Sequence, residues 1–177
     1  VEESIVHKRP VKKVTKSTKT TGIDLGLTDF LIESSGSKKS SPKYLRMSEK
    51  KLKRVQKSLS RKKFGSKNRS KQRHIVAKVH EKISNQRKDF LHKESSRLVN
   101  ENQVIYLETL NVKGMMKNRH LSKSIADSGW GEFVRQLKYK SHWRGSIVVQ
   151  IGQWEATSKL CSRQNCDHKN TDLKLSD

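Results

Sequence analysis

Acidic residues and cysteines are the scarce components of this sequence. Its two cysteines, Cys161 and Cys166, stand too close together to frame a secreted disulfide scaffold, so a reducing cytoplasm is the expected compartment. No apolar run approaches the length of a membrane span, and no signal-peptide pattern opens the chain. The first residue is Val, which suggests a piece of something longer or a processed product. No P-loop, G-x-S-x-G or H-E-x-x-H pattern and no internal repeat occurs. Apolar residues make up 31% and the mean hydropathy is −0.90, which fits one domain with a modest core. Only 17 Asp and Glu face 40 Lys and Arg, a formal net charge of +23. An excess of that size points to a polyanion: RNA, DNA or a membrane surface.

The stretch Thr21–Phe30 organises what is present. Its apolar run alternates, turns at Gly26 and resumes as Phe30-Leu31-Ile32, which reads as two adjacent strands with Asp24 on the first. A carboxylate in a sheet interior is costly unless it binds a cation or is well hydrogen-bonded. Metal-dependent nucleases place Asp on a rigid strand because a hard divalent cation wants fixed carboxylate oxygens. The bland alternative is an Asp24 that faces solvent on an edge strand. Residues 34–43, rich in Ser, Gly, Lys and Pro, read as a loop.

From Ser48 the period becomes helical. Leu52, Val55 and Leu59 share one face, with Ser48 as a candidate N-cap. Phe64-Gly65-Ser66 breaks this helix, and Ser66 can cap a longer second one. There Ile75, Val76, Val79, Ile83, Phe90, Leu91, Leu98 and Val99 keep near-heptad spacing. Residues 48–100 therefore read as an antiparallel helical hairpin with one apolar seam and a basic exterior. Acidic partners for pairing within the helices are nearly absent, so phosphate contact is favoured over a solvated coiled coil. The candidate contacts are Lys50, Lys51, Lys53, Arg54, Arg61, Lys62, Lys63, Lys67, Arg69 and Arg73.

Gln103–Glu108 repeats the earlier arrangement, with apolar residues of high strand propensity ending in a carboxylate. Thr109–Gly114 reads as a loop, and the polar residues 115–128 are expected to cross an active-site face. A helix from about Gly129 to His142 should pack on the sheet through Trp130, Phe133, Val134 and Leu137. Core packing is the preferred role for both Trp130 and Trp143. Ile147–Ile151 is another short strand. Near the end, Cys161 and Cys166 resemble half of a zinc knuckle with a widened loop, and His168 is a poorly placed third ligand.

Taken together, the chain resembles the TnpB family, proteins of bacterial and archaeal insertion sequences related to type V CRISPR effectors. The residues that carry the resemblance are Gly22–Leu27, Arg61–Arg69, His80–Ile83, Asn85–Lys93, Leu107-Glu108 with Leu110–Met115, Trp130–Phe133, and Ser158-Lys159 before Cys161. The resemblance implies an α/β fold, an RNase H-like (RuvC-like) mixed sheet, with the basic helical hairpin inserted in it and a partial zinc knuckle. Residues 1–20 would be the remnant of a preceding strand-rich domain and a linker. Residues 21–47 and 101–155 would form the two parts of the core, 48–100 the insertion, and 156–177 the first half of the knuckle segment. Asp24 would match the first catalytic carboxylate and Glu108 the second, both coordinating Mg²⁺. Zn²⁺ would need the family's second cysteine pair beside Cys161 and Cys166. The implied partners are a DNA target and a transposon-derived guide RNA, with no membrane, in the cytoplasm and nucleoid of a bacterium or archaeon.

The departures shape the functional expectation. The family continues past the position of Asp177 to a second cysteine pair and a third catalytic Asp, which this sequence does not contain. Thr109 replaces a common acidic residue, and Glu155-Ala156 replaces an aromatic-Pro pair. The expectation is a transposon-associated nucleic-acid-binding protein that is inactive as this fragment, with part of the sheet face uncovered. The alternatives are a non-catalytic RNA- or DNA-binding regulator, a degraded remnant, or a basic structural RNA-binding protein.

Overall fold

The computed structural model describes residues 18–152 together with Cys166 and His168. Most of the expected remnant and linker over residues 1–20, the residue Cys161 and most of the knuckle segment lie outside the described residues.

Strand β1 (Thr20–Asp24) alternates as the sequence does, with Thr21 and Ile23 buried and Asp24 exposed. It turns at Gly26 into β2 (Asp29–Glu33), which runs antiparallel to it. A side chain at Gly26 would meet the Asp29 carbonyl oxygen at 2.7 Å, so this turn requires glycine. The polar stretch that follows is not all loop. Lys38–Ser40 forms β3, a fully exposed edge strand antiparallel to β2. Its residues carry no strand signal of their own, because the β2 backbone supplies the pairing. Strands β4 (Val104–Glu108) and β5 (Ile147–Ile151) add in parallel on the other side of β1. The sheet order is β3-β2-β1-β4-β5, a mixed sheet in an α/β fold, in agreement with the RNase H-like expectation.

Helices α1 (Tyr44–Ser60) and α2 (Lys67–Glu101) lie between β3 and β4 in the chain. Arg69 reaches the Leu59 carbonyl and Gln72 the Val55 carbonyl, both at 3.1 Å, so the two helices run antiparallel. Ser66 caps α2 as expected, accepting from the Arg69 amide at 3.2 Å. Ser48 does not cap α1. The helix begins a turn earlier because Tyr44 and Leu45 already pack on the interhelical seam. Its first residues are held from a distance, the Leu45 amide donating to Asp127 Oδ2 at 3.0 Å.

The apolar stripe of α2 is not one seam. With 35 residues against 17, α2 is about 52 Å long and α1 about 25 Å. The first part of α2 packs Val79 and Ile83 on Leu52 and Val55 of α1. The last part packs Leu91, Leu98 and Val99 into the main core against the sheet. Ile75 falls outside both and is exposed.

Two short helices, α3 (Val112–Met115) and α4 (Ser122–Ser128), precede α5 (Trp130–Arg144). Asn111 nucleates α3 by accepting from the Gly114 amide at 3.0 Å, where the sequence reads as a loop. Gly129, at φ 69°, joins α4 to α5 in the left-handed conformation, which a side chain would strain. Helix α5 packs Trp130, Phe133 and Leu137 inward. The Phe30 ring meets Phe90 and Phe133 edge-on, each at a centroid distance of 5.0 Å, which joins sheet, α2 and α5. Trp143, expected in the core, is exposed and leans on Tyr139 at 4.7 Å, because it sits past the end of the packed face of α5.

Candidate functional site

Parallel pairing of β1 with β4 brings the two predicted carboxylates together. Ile23 is the register partner of Leu107, and the next step along both strands is Asp24 beside Glu108. Both residues end their strands, and both lie on the face turned away from α2 and α5. They line one open cleft with Gly22, Ile32, Ser34, Tyr106 and Ile151. The sheet-interior burial expected for Asp24 does not occur. It is exposed at the end of a central strand, not an edge strand, because alternation turns it away from the core. Glu108 is likewise exposed.

A third carboxylate reaches the rim of this cleft but is already committed. Glu33 is 9% exposed and accepts from Arg97 Nη2 at 2.7 Å. Arg97 also holds Glu94 at 3.1 Å and Glu101 at 3.0 Å, and Lys39 closes on Glu94 at 3.0 Å. Burial works against the charge on Arg97, and Glu33 and Glu94 more than offset it, so its pKa is raised. This network ties β2 and β3 to α2. Sequence reasoning missed it, since nothing local links Glu33 to a residue 64 positions on. Among the described residues, no group of three His, Cys, Asp or Glu side chains could hold a metal ion. Asp24 and Glu108 alone fit a hard divalent cation that keeps several waters.

None of residues 115–128 lines the cleft. Helix α4 instead buries Ile125 in the core, and Asp127 takes Arg87 Nη2 at 2.8 Å. The polar residues expected over the active-site face thus anchor α1 and α2. Of the knuckle candidates, Cys166 is half-buried and His168 exposed, and Cys161 lies outside the described residues.

The ten candidate phosphate contacts lie on α1, on α2 and in the turn between them, and none lines the acid cleft. Nine are exposed. Arg69 is half-buried, with its Nη1 donating to the Leu59 and Lys62 carbonyls, each at 3.1 Å. Lys53 pairs with Glu49 at 3.0 Å. A shallow depression on α1 collects Arg54, Arg61 and Lys62 with Lys57, a residue the sequence pattern did not single out. Two antiparallel helices with so few acids put fixed positive charge along their length.

A mixed sheet of this strand order, with carboxylates ending two adjacent parallel strands, has the architecture of an RNase H-like fold. Residues 3–119 match the OrfB_IS605 family, described as "Probable transposase", and residues 130–176 match the Cas12f1-like TNB domain. The chain belongs to this transposase family, that of the TnpB proteins. It is 43% identical over 145 residues to a protein of Streptomyces pristinaespiralis named "Putative RNA-guided DNA endonuclease", covering 82% of this chain and 36% of that one. It is 32% identical over 175 residues to "Putative RNA-guided DNA endonuclease InsQ" of Escherichia coli (strain K12), covering 90% and 43%. The chain thus spans less than half the length of these relatives. Its fold is similar to a chain in a cryo-EM structure of a Cas12f1-sgRNA-target DNA complex, with a TM-score of 0.57 and 20% identity, covering 93% of this chain and 35% of that one. Among the described residues, no helix is long and apolar enough to cross a membrane.

Proposed function

We propose that this chain forms part of an RNA-guided DNA endonuclease of the TnpB type and supplies two of its catalytic carboxylates. The observation that carries the reading is the meeting of Asp24 and Glu108 at the ends of adjacent parallel strands in one open cleft. These two side chains would hold Mg²⁺, which when bound supplies Lewis-acid chemistry at a phosphodiester. The open sheet face leaves room for a nucleic-acid strand, and Gly22 adds no side chain there. The α1–α2 pair is the insertion in the RNase H-like core. Its exposed Lys and Arg grip the backbone of guide RNA and target DNA without reading sequence. A knuckle zinc would draw on Cys161 and Cys166. A protein of this charge would sit with the nucleoid of its bacterial or archaeal host.

One observation favours a second reading, a non-catalytic binder. The acid nearest the pair, Glu33, is consumed by Arg97, so two metals have no shared ligand set among the described residues. A Mn²⁺ titration followed by water-proton relaxation separates the two. The nuclease reading expects a site that Asp24→Asn and Glu108→Gln each weaken by about ten-fold or more. It also expects guide-dependent DNA cleavage by the endonuclease that contains this chain, abolished by Asp24→Ala. Tight oligonucleotide binding without a Mn²⁺ site would leave the binder.

A further inference from the structure

We propose that Phe64, in the turn between α1 and α2, is a stacking platform for an unpaired nucleobase. The inference deepens the nucleic-acid reading above and rests on it. Phe64 is 87% exposed, the most exposed of the large apolar side chains among the described residues. It belongs to neither apolar cluster of the described residues, and a polar residue would serve a solvent-facing turn as well.

The turn that carries it is tightly bonded. The Lys62 amide donates to the Leu59 carbonyl at 3.1 Å, and Ser66 Oγ donates to the Lys63 carbonyl at 2.9 Å. Gly65 takes φ 77°, which lets the chain reverse directly after the ring. Arg69, fixed by its two carbonyl acceptors, stands 5.5 Å from the ring centroid and backs it with a cation–π contact. A ring held this way is presented at little cost in side-chain entropy on binding.

The surroundings identify the occupant. Between Glu49 and Glu81 no acidic residue occurs, while 13 Lys and Arg do. An apolar protein pocket brought onto Phe64 would desolvate this cationic collar without pairing it. A nucleic-acid strand satisfies both features, with phosphates on Arg61, Lys62 and Lys67 and a base on the ring. Base–aromatic stacking tolerates any sequence, since every base has a π face.

The test is fluorescence anisotropy of the full chain with a single strand and with an abasic strand of equal length, in DNA and RNA versions. Phe64→Ala and Phe64→Leu should weaken the base-bearing strand about 5- to 150-fold and leave the abasic strand unchanged. Phe64→Trp should bind at least as well as the wild type. A 2-aminopurine in the strand should be quenched by the wild type and by Phe64→Trp but not by Phe64→Leu. Whichever of the DNA and RNA strands shows the loss identifies the source of the base. Phe64→Leu binding like the wild type, or equal losses on both strands, would overturn the proposal while the nucleic-acid reading stands. A wild type that binds no oligonucleotide overturns both. Phe64-dependent binding to anionic lipid vesicles with no effect on oligonucleotides would replace the base with a membrane surface. Circular dichroism of each variant should match the wild type, since Phe64 makes no core contact.

Discussion

Replacing Asp127 by Ala removes a side chain of α4 that bonds both α1 and α2. Its Oδ2 accepts from the Leu45 amide at the start of α1, and its Oδ1 pairs with Arg87 of α2 at 2.8 Å. Helix α1 has no side-chain cap of its own, since Lys43 sits in the left-handed region with φ 49°. Loss of an N-terminal acceptor costs about 1 kcal/mol. Removing one partner of a fully buried ion pair costs about 3–5 kcal/mol. Here the Arg87 side chain is 28% exposed, so water reaches the orphaned guanidinium and about 1–2 kcal/mol is expected. The Asp127 side chain is only 10% exposed, which keeps the ion-pair contribution above zero. The sum is about 2–3 kcal/mol, or a fall in Tm of about 5–10 °C for a chain of this size. Urea unfolding followed by far-ultraviolet circular dichroism measures it. Asp127→Asn keeps an acceptor for Leu45 and should lose about half as much. A change below about 0.5 kcal/mol for Asp127→Ala would refute the reasoning, and Asn as damaging as Ala would refute the capping part.

Phe30→Ala empties the space between Phe90 and Phe133 and should cost about 3–5 kcal/mol. Against a total of about 5–15 kcal/mol, that shows as a lower urea midpoint or loss of cooperative unfolding. Acid should weaken the fold through Glu132 and Glu49. Hydrogen bonds from Arg135 and then Gln136 lower the Glu132 pKa from 4.5 to about 2, and those from Lys123 and then Lys53 do the same for Glu49. Both contributions are complete above pH 4.5 and are lost as pH falls from there through about 2, because the unfolded chain takes up protons first. The Glu49→Gln/Glu132→Gln double variant should therefore show a shallower fall of Tm across that window, and an unchanged slope would refute the assignment.

Much of this protein is written locally. Alternation marks β1, short apolar runs of high strand propensity mark β2, β4 and β5, the Gly26 turn joins the first two, and Ser66 announces the second long helix, because each signal needs only near neighbours in the chain. The positions of Asp24 and Glu108 at the ends of apolar runs, and the basic character of residues 48–100, are legible in the same way. Tertiary pairing decided the rest. β3 exists because β2 offers a backbone ladder, and α1 begins at Tyr44 because Tyr44 and Leu45 pack on the interhelical seam and Asp127 holds the Leu45 amide from 82 positions away. The stripe of α2 divides because α1 is half its length and the sheet takes the remainder. Two carboxylates become a pair only through the parallel register of β1 with β4, and Glu33 is withdrawn from them only by Arg97. A side chain's type and period are local properties, whereas its partner depends on which strands and helices meet.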